Sequence, residues 1–328
     1  MTRWTDRLDA WLFPAETDGW LTVLRIGLGL QTILYAVSLQ ADWNYLFARH
    51  GHELVSSALA EALLSTESPF IPRLGWLTAL SPRLGLSEWA VLSMAWWLLL
   101  GSGVALVGGI LSRASAVVAW LIHLAAAKSA GFLSYGVDNF MTIGFFYLVF
   151  APLTDRQRAD QRWRKPRRRD RSATERIRGG EQLLGFWRRV LQLHLCLIYF
   201  FGGLSKCLGS GWWNGSSVWR ALIRPPFNVF DPHIVVKWKY IFPFAGIGVA
   251  LLELSYPFFI WRRSTRVIWL LAICGMHVAI GVSMGLYLFA LVMIVLNLAA
   301  FAPEHALSGG AALFRSLRRI RTIQRSPK

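Results

Sequence analysis

Lys206 follows an apolar run that begins near Val190, in the stretch YFFGGLSKCLGSGWWNG over 199–215. A lysine held away from water loses proton affinity and can then serve as a general base. The residue types around it suit such a role. Tyr199 lies seven positions earlier, on nearly the same helix face. Gly202 and Gly203 remove side chains one turn earlier, which lets a ligand or another helix approach closely. Trp213, within WWNG, supplies aromatic surface to cap a pocket. A plainer reading is equally available: near a helix end a long cationic side chain snorkels to the aqueous boundary and anchors the helix. On these residues alone both readings stay open.

What kind of helix carries Lys206 follows from the charge pattern. The chain has 328 residues, 55% of them apolar, yet a formal charge of +17. Val190–Leu204 carries no charge, whereas Asp155–Arg178 is crowded with arginine. Uncharged apolar segments of about 18 residues or more span a bilayer. We therefore expect an all-α integral membrane protein with about eight transmembrane helices, near 18–39, 87–109, 114–133, 138–152, 190–208, 242–260, 266–284 and 286–302. The 17 tryptophans, many near segment ends, fit interfacial anchoring. With the N-terminus cytoplasmic, 25 of the 35 lysines and arginines fall inside and 7 outside. That asymmetry places both termini in the cytoplasm. It also argues against nucleic acid as a partner, because the basic residues sit where membrane topology puts them.

This topology divides the chain into a cytoplasmic N-terminus (1–17), a membrane domain (18–302) and a basic cytoplasmic tail (303–328). The membrane domain carries a basic cytoplasmic loop at 153–189 and external loops at 40–86 and 209–241. HELVSSALAEALLS, in the first external loop, has helical spacing, and Pro69, Pro72 and Pro82 after it suggest loop. The aromatic, glycine-rich 209–241 segment suits a lid or re-entrant element. The basic loop should be a solvated connector touching anionic lipid heads. The N-terminal sequence lacks the pattern of a cleavable signal peptide.

Only Arg25, Lys128 and Lys206 among the basic residues lie within the expected spans, and intramembrane charges are costly enough to demand partners. Arg25 and Glu253 fall at similar depths on helices one and six, which predicts a structural ion pair. Asp138 opens helix four and could neutralise Lys128. His123, His194 and His277 stand on three different helices without metal-ligand spacing, so no metal is expected. Cys196, Cys207 and Cys274 are too few and too scattered for a disulfide framework.

The residues IYFFGGLSK…WWNG resemble the horizontally transferred transmembrane (HTTM) family, which includes the vitamin K-dependent gamma-carboxylases. Tyr199, Phe200, Gly202, Gly203, Lys206, Trp213 and Gly215 carry the likeness. Leu24–Gly27, YGVDNF before helix four and HVAIGVSMG from His277 extend it. In the carboxylases the lysine matching Lys206 is regarded as the base that deprotonates vitamin K hydroquinone. The resemblance thus implies an external-facing, quinone-sized pocket and a quinol cofactor, vitamin K-like or menaquinol. Lys206, Asn139 and His277 would be catalytic there, with Tyr199, Gly202, Gly203, Asp138 and Trp213 around the substrate, which could also be a peptide or protein. Two departures argue against glutamate carboxylation itself. Phe140 replaces the family's histidine after Asn139, and no large domain follows the last span. The short, membrane-only bacterial members fit better, among them the maturation protein of a sporulation-delaying toxin. They imply a multi-pass protein of the bacterial cytoplasmic membrane, and leave an accessory or transport role as the alternative to enzymatic lyase-like chemistry.

Overall fold

The computed structural model describes residues 2–48, 62, 66, 70–129, 134–152 and 171–302. Among these every regular element is a helix. We number them α1 (Thr2–Leu12), α2 (Gly19–Ser38), α3 (Trp43–Phe47), α4 (Leu74–Leu84), α5 (Glu88–Gly108), α6 (Ser112–Ser129) and α7 (Gly136–Phe150). Then come α8 (Arg171–Leu208), α9 (Ser210–Trp213), α10 (Ser216–Ile223), α11 (Pro232–Lys237), α12 (Phe242–Phe259), α13 (Arg263–Met284) and α14 (Tyr287–Phe301). Five are long and apolar enough to cross a bilayer: α2, α5, the Gly179–Leu208 part of α8, α12 and α13. The apolar helices α7 and α14 are shorter. The protein is therefore an all-helical chain with the make-up of a multi-pass membrane protein.

Two compact units divide the chain, residues 1–23 with 151–328 and residues 24–150. In the second unit α2 and α5 meet through glycines. A Cβ on Gly29 would come 2.9 Å from the Gly103 carbonyl, and one on Gly103 would come 3.1 Å from the Gly29 carbonyl. Close backbone approach of this kind replaces the hydrophobic driving force that lipid denies to membrane helices. Gly144 of α7 lies against the end of the Leu28 side chain, where a Cβ would come 2.9 Å from a Leu28 methyl. α5 starts at Ser87, whose hydroxyl accepts from the Ala90 N–H at 3.2 Å, and stops at Gly109 with φ 71°. Both are ordinary cap chemistries.

In the first unit α8 packs along α12. A Cβ on Gly203 would overlap the Leu254 backbone, and one on Gly246 would overlap the Trp212 carbonyl. Helices α13 and α14 are joined by a tight turn at Gly285, φ 71°, with Gly281 against Ala290.

Several loop expectations are revised. α8 begins at Arg171, so the second half of the expected 153–189 connector is helix running straight into the apolar segment; residues 153–170 lie outside the described residues. The helix expected over HELVSSALAEALLS also lies outside them, apart from Ala62, as does the 303–328 tail. Where Pro82 suggested loop, α4 forms, whereas Pro72 lies in the irregular stretch before it. Pro82 sits in its last turn, and the Thr78 carbonyl that a proline cannot serve accepts the Ser81 hydroxyl at 2.7 Å. The 209–241 segment folds as three short helices, α9–α11.

Candidate functional site

Lys206 lies in the last turn of α8, and its ammonium donates to Glu253 Oε2 of α12 at 2.6 Å. The side chains keep 22% and 10% of their surface, respectively. Nζ also lies 3.4 Å from the Gly202 carbonyl and 5.2 Å from the centroid of the Trp212 ring. The pair exists because α8 offers no side chain at 202 and 203. A Cβ at Gly202 would come 3.0 Å from Glu253 Oε2, while Gly203 admits the backbone of α12 itself. Of the two functions expected for this glycine pair, helix approach is the one observed. A methyl at 203 must push α12 away, so Gly203→Ala is expected to cost about 1–3 kcal/mol by overpacking. Gly202→Ala meets only the end of a carboxylate and should cost less. Thermal unfolding of the detergent-solubilised variants checks the order.

Glu253 pairs with Lys206. Within its own unit Arg25 donates to the carbonyls of Leu106 and, at 3.1 Å, Val107, in the last turn of α5. Helix C-termini carry orphan carbonyls and partial negative charge, which a guanidinium satisfies.

Beneath the pair on α8, Tyr199 enters a buried polar network. Asn297 of α14 donates through Nδ2 to the Met293 carbonyl at 2.8 Å and to the Tyr199 oxygen at 2.7 Å. Its Oδ1 accepts from Tyr256 of α12 at 2.7 Å. The Met293 carbonyl can only accept, so it fixes the amide orientation. Tyr199 accepts from Asn297 and has its own proton left for His277 Nε2, 2.8 Å away. The polarity of the whole chain is thus set, with the neutral His277 imidazole carrying its proton on Nδ1. That Nδ1 has no hydrogen-bond partner among the described residues, and the residue is 3% exposed. The Lys206 charge acts on His277 and the Glu253 charge on Tyr199, so the pair and the network form one electrostatic neighbourhood.

Asp138 belongs to the other unit. Its carboxylate binds His123 Nε2 at 3.2 Å, the Ser134 hydroxyl at 3.1 Å and the Tyr135 N–H at 3.0 Å. The expected Lys128 partnership is replaced by this fully buried histidine, because His123 lies inside the unit. Asn139, next in α7, is exposed. Trp213 is 47% exposed and its indole donates to the Cys207 carbonyl at 2.7 Å, so Trp212 rather than Trp213 faces the lysine. His194 is half-buried on α8. No group of three or more metal-ligating side chains occurs among the described residues.

Trp212, Tyr256 and Asn297 are site residues that sequence reasoning missed. Asn297 was visible in principle, as a lone amide in the apolar run YLFALVMIVLNLAAF. Comparison with protein-family models, curated proteins and solved structures yields no match.

Proposed function

We propose that the chain is an eight-span membrane protein of the HTTM type in which Lys206 and Glu253 handle a proton at a quinol-like or peptide substrate. The spans are α2, α5, α6, α7, the second half of α8, α12, α13 and α14. The uneven distribution of lysine and arginine supports cytoplasmic termini and an external position for Lys206; residence in a bacterial cytoplasmic membrane enters through the resemblance alone. The observation that carries the reading is the short, partly open Lys206–Glu253 pair beneath Trp212.

A lysine in an ion pair is protonated and not yet a base. Shifting one proton from Nζ to Oε2 gives a neutral amine beside a carboxylic acid, without separating charge. The amine then takes the proton of a substrate hydroxyl, and the regenerated ammonium faces the oxyanion it has made. Glu253 serves as the proton store, and the Tyr199–His277–Asn297 network holds the wall behind it. Asn139 enters this proposal through the resemblance alone. Asp138, engaged with His123, has a positioning role in α7.

The same pair favours a second reading, since two charges that satisfy each other are also an anchor between α8 and α12. Lys206→Arg separates the two, because a guanidinium keeps the bridge but does not deprotonate. Purified protein in lipid nanodiscs would be assayed for menaquinol oxidation with dioxygen supplied as the electron acceptor, the deprotonated quinol being the form that it oxidises. Losing a general base typically costs about 10²–10⁴-fold, so both Lys206→Ala and Lys206→Arg should lose at least the lower figure. Undiminished turnover in both variants would assign Lys206 to anchoring.

A further inference from the structure

The N-terminal helix α1 presents an apolar stripe whose Trp4–Leu8 part the protein does not cover. Trp4, Leu8, Trp11 and Leu12 recur at i, i+4, i+7 and i+8, one face of a helix, while Asp6 lies opposite and Asp9 on the flank. Trp4 is 79% exposed and Leu8 54%.

The segment around this helix is held firmly. The Glu16 carboxylate accepts from Arg188 at 2.7 Å, and the Glu16 N–H donates to the Glu181 carbonyl at 3.2 Å. Phe13 stacks on Phe186 at 4.9 Å, and Gly185 has no room for a Cβ beside the Pro14 carbonyl. Arg189 lies over both the Trp11 ring at 4.6 Å and the Trp261 ring at 5.0 Å, whose centroids are 5.6 Å apart, and donates to the Trp11 carbonyl at 3.0 Å. Arg188 and Arg189 mark the charged start of the apolar half of α8. Trp261 sits in the α12–α13 connection beside Arg262, Arg263 and Arg266.

The clamp therefore fixes α1 at the level where three apolar helices change to arginine and tryptophan, which is the composition of a membrane interface. A short helix held at that level, with tryptophan and leucine on its open face and Arg7 at the stripe's edge, has the features of an interfacial amphipathic helix. We infer that α1 lies in the plane of the protein's own bilayer, with Trp4 and Leu8 inserted at the boundary between anionic headgroups and acyl chains. The inference rests on the membrane reading of α2, α8, α12 and α13 but not on the chemistry of Lys206.

The test uses the full chain with Cys196, Cys207 and Cys274 replaced by alanine, reconstituted in phosphatidylcholine vesicles containing phosphatidylglycerol. Nitroxide labels are placed singly through Trp4→Cys, Leu8→Cys, Asp6→Cys and Asp9→Cys, with Leu34→Cys on the exposed face of α2 as a reference. Spin relaxation by oxygen reports lipid, and relaxation by a water-soluble nickel chelate reports solvent. The oxygen-to-nickel ratio should be severalfold higher at 4 and 8 than at 6 and 9. Adding Arg189→Ala should flatten that difference. Equal nickel access at all four positions overturns the inference. Shielding of 4 and 8 from both reagents overturns it too, in favour of a protein partner such as a second copy. Nickel access at the α2 reference overturns the membrane reading itself, and so separates that failure from failure of the α1 assignment.

Discussion

Glu253→Ala is expected to destabilise the protein by about 2–4 kcal/mol, because it strands the Lys206 ammonium among apolar helices. Removing one partner of a buried ion pair typically costs about 3–5 kcal/mol. The 22% exposure of the Lys206 side chain moves the expectation to the lower part of that range. Lys206→Ala strands a carboxylate, which neutralises more cheaply at pH 7, so its loss should be smaller. The double variant leaves no stranded charge and should be more stable than Glu253→Ala alone. Unfolding in mild detergent, followed for the wild type and all three variants, gives the coupling directly. Additive losses would remove the ion pair from the account of stability.

Asn297→Ala should be the second large effect, near 2–3 kcal/mol. One amide serves three partners: the Met293 carbonyl, the Tyr199 oxygen and the Tyr256 hydroxyl. Individual hydrogen bonds between membrane helices average about 0.6 kcal/mol and reach about 1.7, so three of them plus the cavity left by the side chain reach this total. Asn297→Asp preserves the acceptor for Tyr256 but removes both donors, and should recover only part of the loss. Tyr199→Phe breaks one link and leaves His277 Nε2 without its donor, for about 1–2 kcal/mol. An alanine variant as stable as the wild type would show that the three groups find other partners. The same unfolding measurement decides it.

The eight apolar segments were legible in the sequence, and each appears as a helix whose ends differ from expectation by a few residues at most, apart from the long polar extension of α8. Long runs without charge can bury their backbone only as helices, and that constraint acts locally. The pairing of charges was not legible in the same way. The Lys206–Glu253 pair was not foreseen, because depth along a helix says nothing about which way a residue points. Azimuth is set by helix packing, and the packing of α8 on α12 is dictated by Gly202 and Gly203. Those glycines were singled out at once, although what approached them was the backbone bearing Glu253. The helix α1 is periodic but too polar to stand out beside the apolar spans, and α4 and α9–α11 were missed or only outlined, because few residues and nearby prolines leave little periodicity to detect. Trp212 and Trp213 could not be told apart from WWNG alone. Their difference comes from the turn at Gly209, which starts α9 and sends one indole to Lys206 and the other to the Cys207 carbonyl.

The reciprocal contact of Gly29 and Gly103 has a mechanical consequence. Where helices touch through side chains, rotamer changes let one slide or roll against the other. Here main chain meets main chain, flanked by the Val107 and Ile33 side chains, and main chain within a helix has no alternative conformer to offer. α2 and α5 are therefore riveted at that level and must travel as a single ply. Any rearrangement within residues 24–150 has to be taken up where side chains mediate the contact, at the joints that α6 and α7 make through His123, Asp138 and their neighbours.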